Sequence, residues 1–186
     1  CTLCVSFTTV GGMKHILLAF LLLLLSFEGH TMQREVVEGM AFPILLAETL
    51  AGGQFQTPDP ERKTHHVILI AFKRNVQPQI DKWLQTLAGP VAARSDVEMY
   101  EIPMLAGGWR LMSGIIDGGM RSGIPAEKHS SVATFYGDIQ RYKDILDMDE
   151  ENVCYLYVIA PQGTIRFAAS GPPTPELVEG AIGALE

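Results

Sequence analysis

From Val67 onward, apolar residues alternate between short unbroken runs and runs spaced three or four apart. VILIAF (67–72) is unbroken and rich in β-branched residues, which suits a central strand covered on both faces. Pro78 suits a first helical turn, and Ile80, Trp83, Leu84 and Leu87 share one helix face before Gly89-Pro90 ends it. VEMYEI (97–102) reads as a second strand, stopped by Pro103. Leu105, Trp109, Met112, Ile116 and Met120 then recur at helical spacing in a glycine-laden stretch. SVATFY (131–136) is a third strand, and Asp138 caps a helix carrying Ile139, Tyr142, Ile145 and Leu146. CYLYVIA (154–160) and TIRFAAS (164–170) make a hairpin around Pro161-Gln162-Gly163. Thr174 caps a last helix, with Pro175 at its first position and Leu177, Val178, Ala181, Ile182 and Leu185 on one face.

The predicted order is β-α-β-α-β-α-β-β-α. The alternating part calls for parallel strands with crossover helices, and the terminal hairpin adds antiparallel strands, so the class is α/β. This order is similar to a thioredoxin-like domain with an extra strand and helix before the final hairpin, as in peroxiredoxins. The resemblance implies a mixed central sheet with helices on both faces.

Residues 67–186 form that domain, and residues 32–66 are an N-terminal extension. Within the extension REVVEGMAFPILLAETLAG suits a strand, a helix or both, and LAGGQFQTPDPERK reads as an extended loop. Residues 1–31 form a leader. Met13-Lys14-His15 precedes the apolar run Ile16–Phe27, the pattern of a secretory signal peptide. The run falls short of the roughly 20 residues of a membrane-spanning helix. The alternative is an uncleaved, tilted anchor that holds the chain on the membrane. The pair Cys1 and Cys4 lies ahead of Met13, with no strand before it and no amphipathic helix after it. It therefore lacks the setting of a redox motif.

The charge balance, 14 basic against 21 acidic residues and a net of −7, argues against a general nucleic-acid binder. The only cysteine beyond the leader is Cys154, in NVCYLYVIA. Such a cysteine is a small buried hydrophobe or, alternatively, a nucleophile. His65-His66 reads as the solvated start of a strand, since a metal site needs three or four converging ligands. No metal and no cofactor is expected.

The stretch from Gly137 to Glu176 resembles the C-terminal region of the mitochondrial ATP synthase assembly factor ten family. The matching pieces are Gly137-Asp138, Tyr155–Ile159, Ile165-Arg166-Phe167 and Ser170-Gly171, with RSGIPAEKH (121–129) similar to the stretch before them. This resemblance implies an assembly or chaperone-like role with a protein partner. The leucine-rich leader differs from an arginine-rich transit peptide, so the expected location is exported, periplasmic or secreted.

In thioredoxin-like enzymes the reactive cysteine follows the first core strand, where the helix N-terminus stabilises a thiolate. Here that loop is KRNVQPQI, Lys73 to Ile80, and it holds no cysteine. The preferred reading is a non-catalytic module that binds a protein partner, with no catalytic residues. Its candidate contact residues are Lys73 and Arg74 at the helix start, Trp109, Arg110 and Arg121 on a flap spanning Gly107–Gly123, and His129. The alternative is a thiol-dependent redox enzyme using Cys154, which calls for a depressed thiol pKa.

Overall fold

The computed structural model describes residues 32–33, 37–59, 61 and 63–186. The leader, with its expected signal sequence and the Cys1–Cys4 pair, lies outside the described residues. Among the described residues, eight strands form one sheet: β1 (Met32–Gln33), β2 (Leu45–Thr49), β3 (Gln54–Thr57), β4 (His65–Ala71), β5 (Val97–Ala106), β6 (Ala133–Gly137), β7 (Tyr155–Ile159) and β8 (Ile165–Ser170). Their order across the sheet is β1-β8-β7-β4-β5-β6-β2-β3. Strands β4, β5 and β6 run parallel, whereas β7 and β8 are antiparallel, as the sequence pattern requires.

Among the described residues, four α-helices accompany the sheet: α1 (Gln77–Ala92), α2 (Ser113–Gly123), α3 (Ile139–Leu146) and α4 (Pro175–Gly183). Successive residues of β4 point to opposite faces. Val67 and Leu69 pack with Leu156 and Val158 under Ile80, Trp83 and Leu87 of α1 and Leu177 and Ala181 of α4. On the other face Ile68, Ile70, Ile102 and Tyr157 meet Tyr142 and Leu146 of α3, together with Phe42, Leu45 and Phe55. Helix α4 lies so close to β8 that a Cβ on Gly180 would come within 2.6 Å of the Phe167 ring. The caps are as expected, Asp138 accepting from the Arg141 N–H and Thr174 from the Leu177 N–H.

Four boundaries differ from expectation. Helix α1 passes through Gly89-Pro90, because Pro90 falls in the last turn, where its missing N–H forfeits one hydrogen bond and Val91 still packs on the core. Strand β5 continues through Pro103, which pairs with Ala71 at the end of the β4 ladder, just before pairing with β6 begins at Met104. The helix expected from Leu105 starts later: Leu105 and Ala106 belong to β5, a 3-10 turn spans Gly107–Met112, and α2 follows. Finally, the stretch read as an extended loop contains β3, so residues 45–57 form a hairpin that extends the sheet beyond β6. Gly52, at φ +84°, makes the tight turn of that hairpin possible.

Candidate functional site

The carboxyl ends of β4, β5 and β6 lie along one edge of the sheet, where ligands of open α/β folds bind. After Ala71 come Phe72, Lys73 and a 3-10 turn at Arg74–Val76, which leads into α1. No side chain caps that helix start. Across from it lies the Glu151–Cys154 segment that enters β7.

Two sets of contacts tie the loop to this segment, and Lys143 of α3 joins them. The Gln79 Nε2 donates to the Asn152 carbonyl at 3.3 Å, and its Oε1 accepts from the Cys154 N–H at 3.0 Å. One side-chain amide thus behaves like a stretch of peptide paired to both backbone groups. The Glu151 carboxylate bridges Lys143 Nζ at 3.1 Å and Lys73 Nζ at 3.3 Å. Its hydrogen bond to Lys143 and then that to Lys73 hold its pKa below the ordinary value. Lys143 also lies over the Phe72 ring, 5.5 Å from its centroid. Lys73 therefore escapes the helix-dipole penalty through a carboxylate neighbour.

Cys154 is fully buried beneath this layer. Its Sγ donates to the Gly171 carbonyl at 3.1 Å, and the Trp83 Nε1 donates to the same oxygen at 2.9 Å. Burial pushes the thiol up to about 12, away from the thiolate that nucleophilic or exchange chemistry needs. The depressed pKa required by the redox reading is thus replaced by a shift of opposite sign.

The six candidate contact residues fall into two groups. Lys73, Arg74, Trp109 and Arg110 follow the carboxyl ends of β4 and β5. Arg74 is exposed on its turn, and Trp109 is 52% exposed. Arg110 instead anchors its own segment, its Nη2 donating to the Tyr136 carbonyl at 2.8 Å. Arg121 and His129 lie at the other end of β6, near the Leu50–Gly53 turn. Arg121 Nε donates to the Leu50 carbonyl at 2.7 Å, and His129 Nε2 meets the Ile124 carbonyl at 2.9 Å. These three side chains serve internal bonds, and Trp109 and Arg74 are the more open contacts.

His66 is not solvated at its strand start, as its sequence position implied. It is buried, with Nδ1 2.8 Å from Thr57 Oγ1 and Nε2 3.8 Å from Glu98, because the β2–β3 hairpin folds over it. The same hairpin walls an open cleft of about 1080 Å³ that includes Glu48, His66, Glu98, Tyr100, Arg110 and Asp117. Gln79, Lys143, Glu151 and this cleft were missed by sequence reasoning, because they are assembled from positions far apart in the chain, Gln79 and Cys154 being 75 residues apart. Among the described residues, no group of His, Cys, Asp and Glu is placed to hold a metal.

The order of strands and the placement of helices are those of the thioredoxin-like fold. StoA from Bacillus subtilis shares it, with 10% identity, 78% of this chain and 98% of that chain covered, and a TM-score of 0.52. So does the thioredoxin domain of a thiol-disulfide oxidoreductase from Bacteroides vulgatus, at 14% identity, 80% and 98% coverage and a TM-score of 0.51. A third is the pneumococcal exposed lipoprotein thioredoxin Etrx1 from Streptococcus pneumoniae strain TIGR4, at 7% identity, 77% and 98% coverage and a TM-score of 0.52. Within that fold, the chain belongs to the ATP10 protein family, which it matches over residues 37–182. No curated protein matches it.

Proposed function

We propose that this chain is a non-catalytic thioredoxin-like protein that binds a protein partner, acting as an assembly or chaperone-like factor for a membrane complex. Membership of the ATP10 family supports the assembly role, and the resemblance noted in the sequence points to the ATP synthase. The leader supports an exported location, periplasmic or secreted.

One observation carries the non-catalytic reading. The loop that holds the nucleophile in redox relatives has no thiol, and Gln79 and Lys73 already occupy the backbone and charge opposite it. The open groups at this edge, Arg74 and Trp109, suit protein contact, since Trp and Arg are favoured at interfaces.

Thiol alkylation across the pH range tests this. With a thiol at about 12 in the fold, Cys154 is expected to stay unmodified in the native chain and to react on denaturation. The stability consequence has a definite sign. The unfolded thiol ionises from about pH 8.5 while the folded one stays neutral, so stability falls as pH rises from there towards 12. In cells lacking the chain, Cys154→Ser is expected to restore assembled ATP synthase, read on native gels, as well as the unaltered chain does. Disulfide reduction or peroxide consumption that Cys154→Ser abolishes would overturn the reading.

A further inference from the structure

The open cleft beside the β2–β3 hairpin has a floor that the fold leaves unfinished. Glu48 stands directly opposite Thr134 in the β2–β6 ladder and opposite Gln54 in the β2–β3 ladder. Residues opposed in this way share one face of a sheet, so Gln54, Glu48 and Thr134 form a polar row across three strands. All three line the cleft. Thr134 is 3% exposed, and its Oγ1 is buried with no hydrogen-bond partner among the described residues. A buried hydroxyl rarely stays so, because it has lost its water and gained nothing in return. Glu48 likewise makes no hydrogen bond or ion pair among the described residues.

The charge around this row is mostly of one sign. Asp59, Glu98 and Asp117 line the cleft with Glu48, against the single guanidinium of Arg110. Arg110 is turned onto the Tyr136 carbonyl, and the ring of His66 is held by Thr57. Asp117 accepts from the Tyr136 hydroxyl and Glu98 from that of Tyr100, which leaves Glu48 as the carboxylate open to a visitor.

We propose that the cleft receives a lysine or arginine side chain from an extended segment of a protein partner, its head group donating to the Glu48 carboxylate and to Thr134 Oγ1. An ammonium or guanidinium carries donors only, which is what a carboxylate and an unpaired hydroxyl oxygen accept. Its hydrocarbon stem finds Leu46, two residues before Glu48 on the same face and 61% exposed. At about 1080 Å³ the cleft exceeds the roughly 300–1,000 Å³ of sites that enclose a small molecule, so it suits a peptide segment better than a free amine. The proposal rests on the protein-binding reading above and adds the chemistry of the segment bound.

The test is a titration of the full chain, read at the Thr134 methyl signal by NMR, with a blocked pentapeptide carrying one lysine among alanines. The lysine peptide and its arginine counterpart are expected to shift that signal saturably, and a glutamine counterpart to bind about tenfold more weakly. Thr134→Val, read at neighbouring amides, is expected to weaken binding about fivefold and yet to raise the thermal transition, since it removes a buried hydroxyl without a partner. Glu48→Gln is expected to weaken binding about fivefold, and Glu179→Gln, an exposed carboxylate of α4, to leave it unchanged. Equal binding of the glutamine peptide, or equal losses from Glu48→Gln and Glu179→Gln, overturns the proposal. So does a lowered thermal transition in Thr134→Val, which would give the hydroxyl a role inside the fold. Spermidine that produces the same shifts at lower concentration overturns it in favour of a free polyamine. In cells lacking the chain, the Glu48→Gln, Thr134→Val double variant is expected to restore less assembled ATP synthase than the unaltered chain. Full rescue by that variant overturns the cleft as the partner's site and leaves the assembly reading standing. Failure of the unaltered chain to rescue sinks the assembly reading, and the titrations still decide the cleft.

Discussion

Helix α1 and the Gly107–Gly123 segment look alike in sequence, each with apolar residues three and four apart, but α1 buries its stripe whereas the segment leaves Trp109 and Met112 exposed and Ile116 and Met120 half-buried. Trp83 in α1 is fully buried against the sheet and also donates its N–H to Gly171, whereas Trp109 before α2 stands half in solvent. In α1 the polar side chains beyond Gln77 and Gln79 project outward, and the apolar stripe covers Val67, Leu69 and Leu156. In the Gly107–Gly123 segment the polar residues turn inward to backbone carbonyls and a tyrosine hydroxyl. Periodicity says that residues share a face. It does not say which way the face looks.

The contrast sharpens into a graded series of stability measurements by denaturant unfolding. Trp83→Ala removes the largest fully buried side chain and is expected to cost about 3–5 kcal/mol. A loss below about 1 kcal/mol would mean that α1 is not the packed helix described here. Gln79→Ala breaks both amide bonds to the Asn152–Cys154 segment and is expected to cost about 1–2 kcal/mol, with faster native alkylation of Cys154 as the loop loosens. Unchanged alkylation would show that the α1 core alone, and not the layer above it, seals the thiol. Ile115→Ala is expected to change stability by less than about 0.5 kcal/mol, because the side chain is 72% exposed. A cost comparable to that of Trp83→Ala would erase the distinction between the two helices.

The sheet core was legible in the sequence for a physical reason. Strands β4 and β7 are buried on both faces and so are written as largely unbroken apolar runs, and the caps at Asp138 and Thr174 carry their own chemistry. The hairpin of β2 and β3 was not legible. Its residues alternate only over four or five positions, Leu46 faces solvent at 61% exposure, and prolines follow β3 directly. Pro90 and Pro103 misled for a related reason: a proline ends an element only where the lost N–H bond is not offset by the packing or pairing around it. At the candidate site, the missing cysteine of the Lys73–Ile80 loop was visible at once. Its replacement by Gln79, Glu151 and Lys143 was not, since those contacts join α1, α3 and the approach to β7. Arg110, Arg121 and His129 were readable as chemistry-bearing side chains, but not as the internal struts they form.

The sealing of Cys154 has a consequence for where such a domain can work. The described fold carries one free thiol, held fully inside, and residues 67–186 offer it no second cysteine. Without a partner sulfur it can form no internal crosslink, and while folded it is shielded from soluble oxidants and reductants. The covalent state of the domain is then the same in an oxidising envelope and a reducing matrix. Such a domain keeps one shape whichever way the surrounding electron traffic runs.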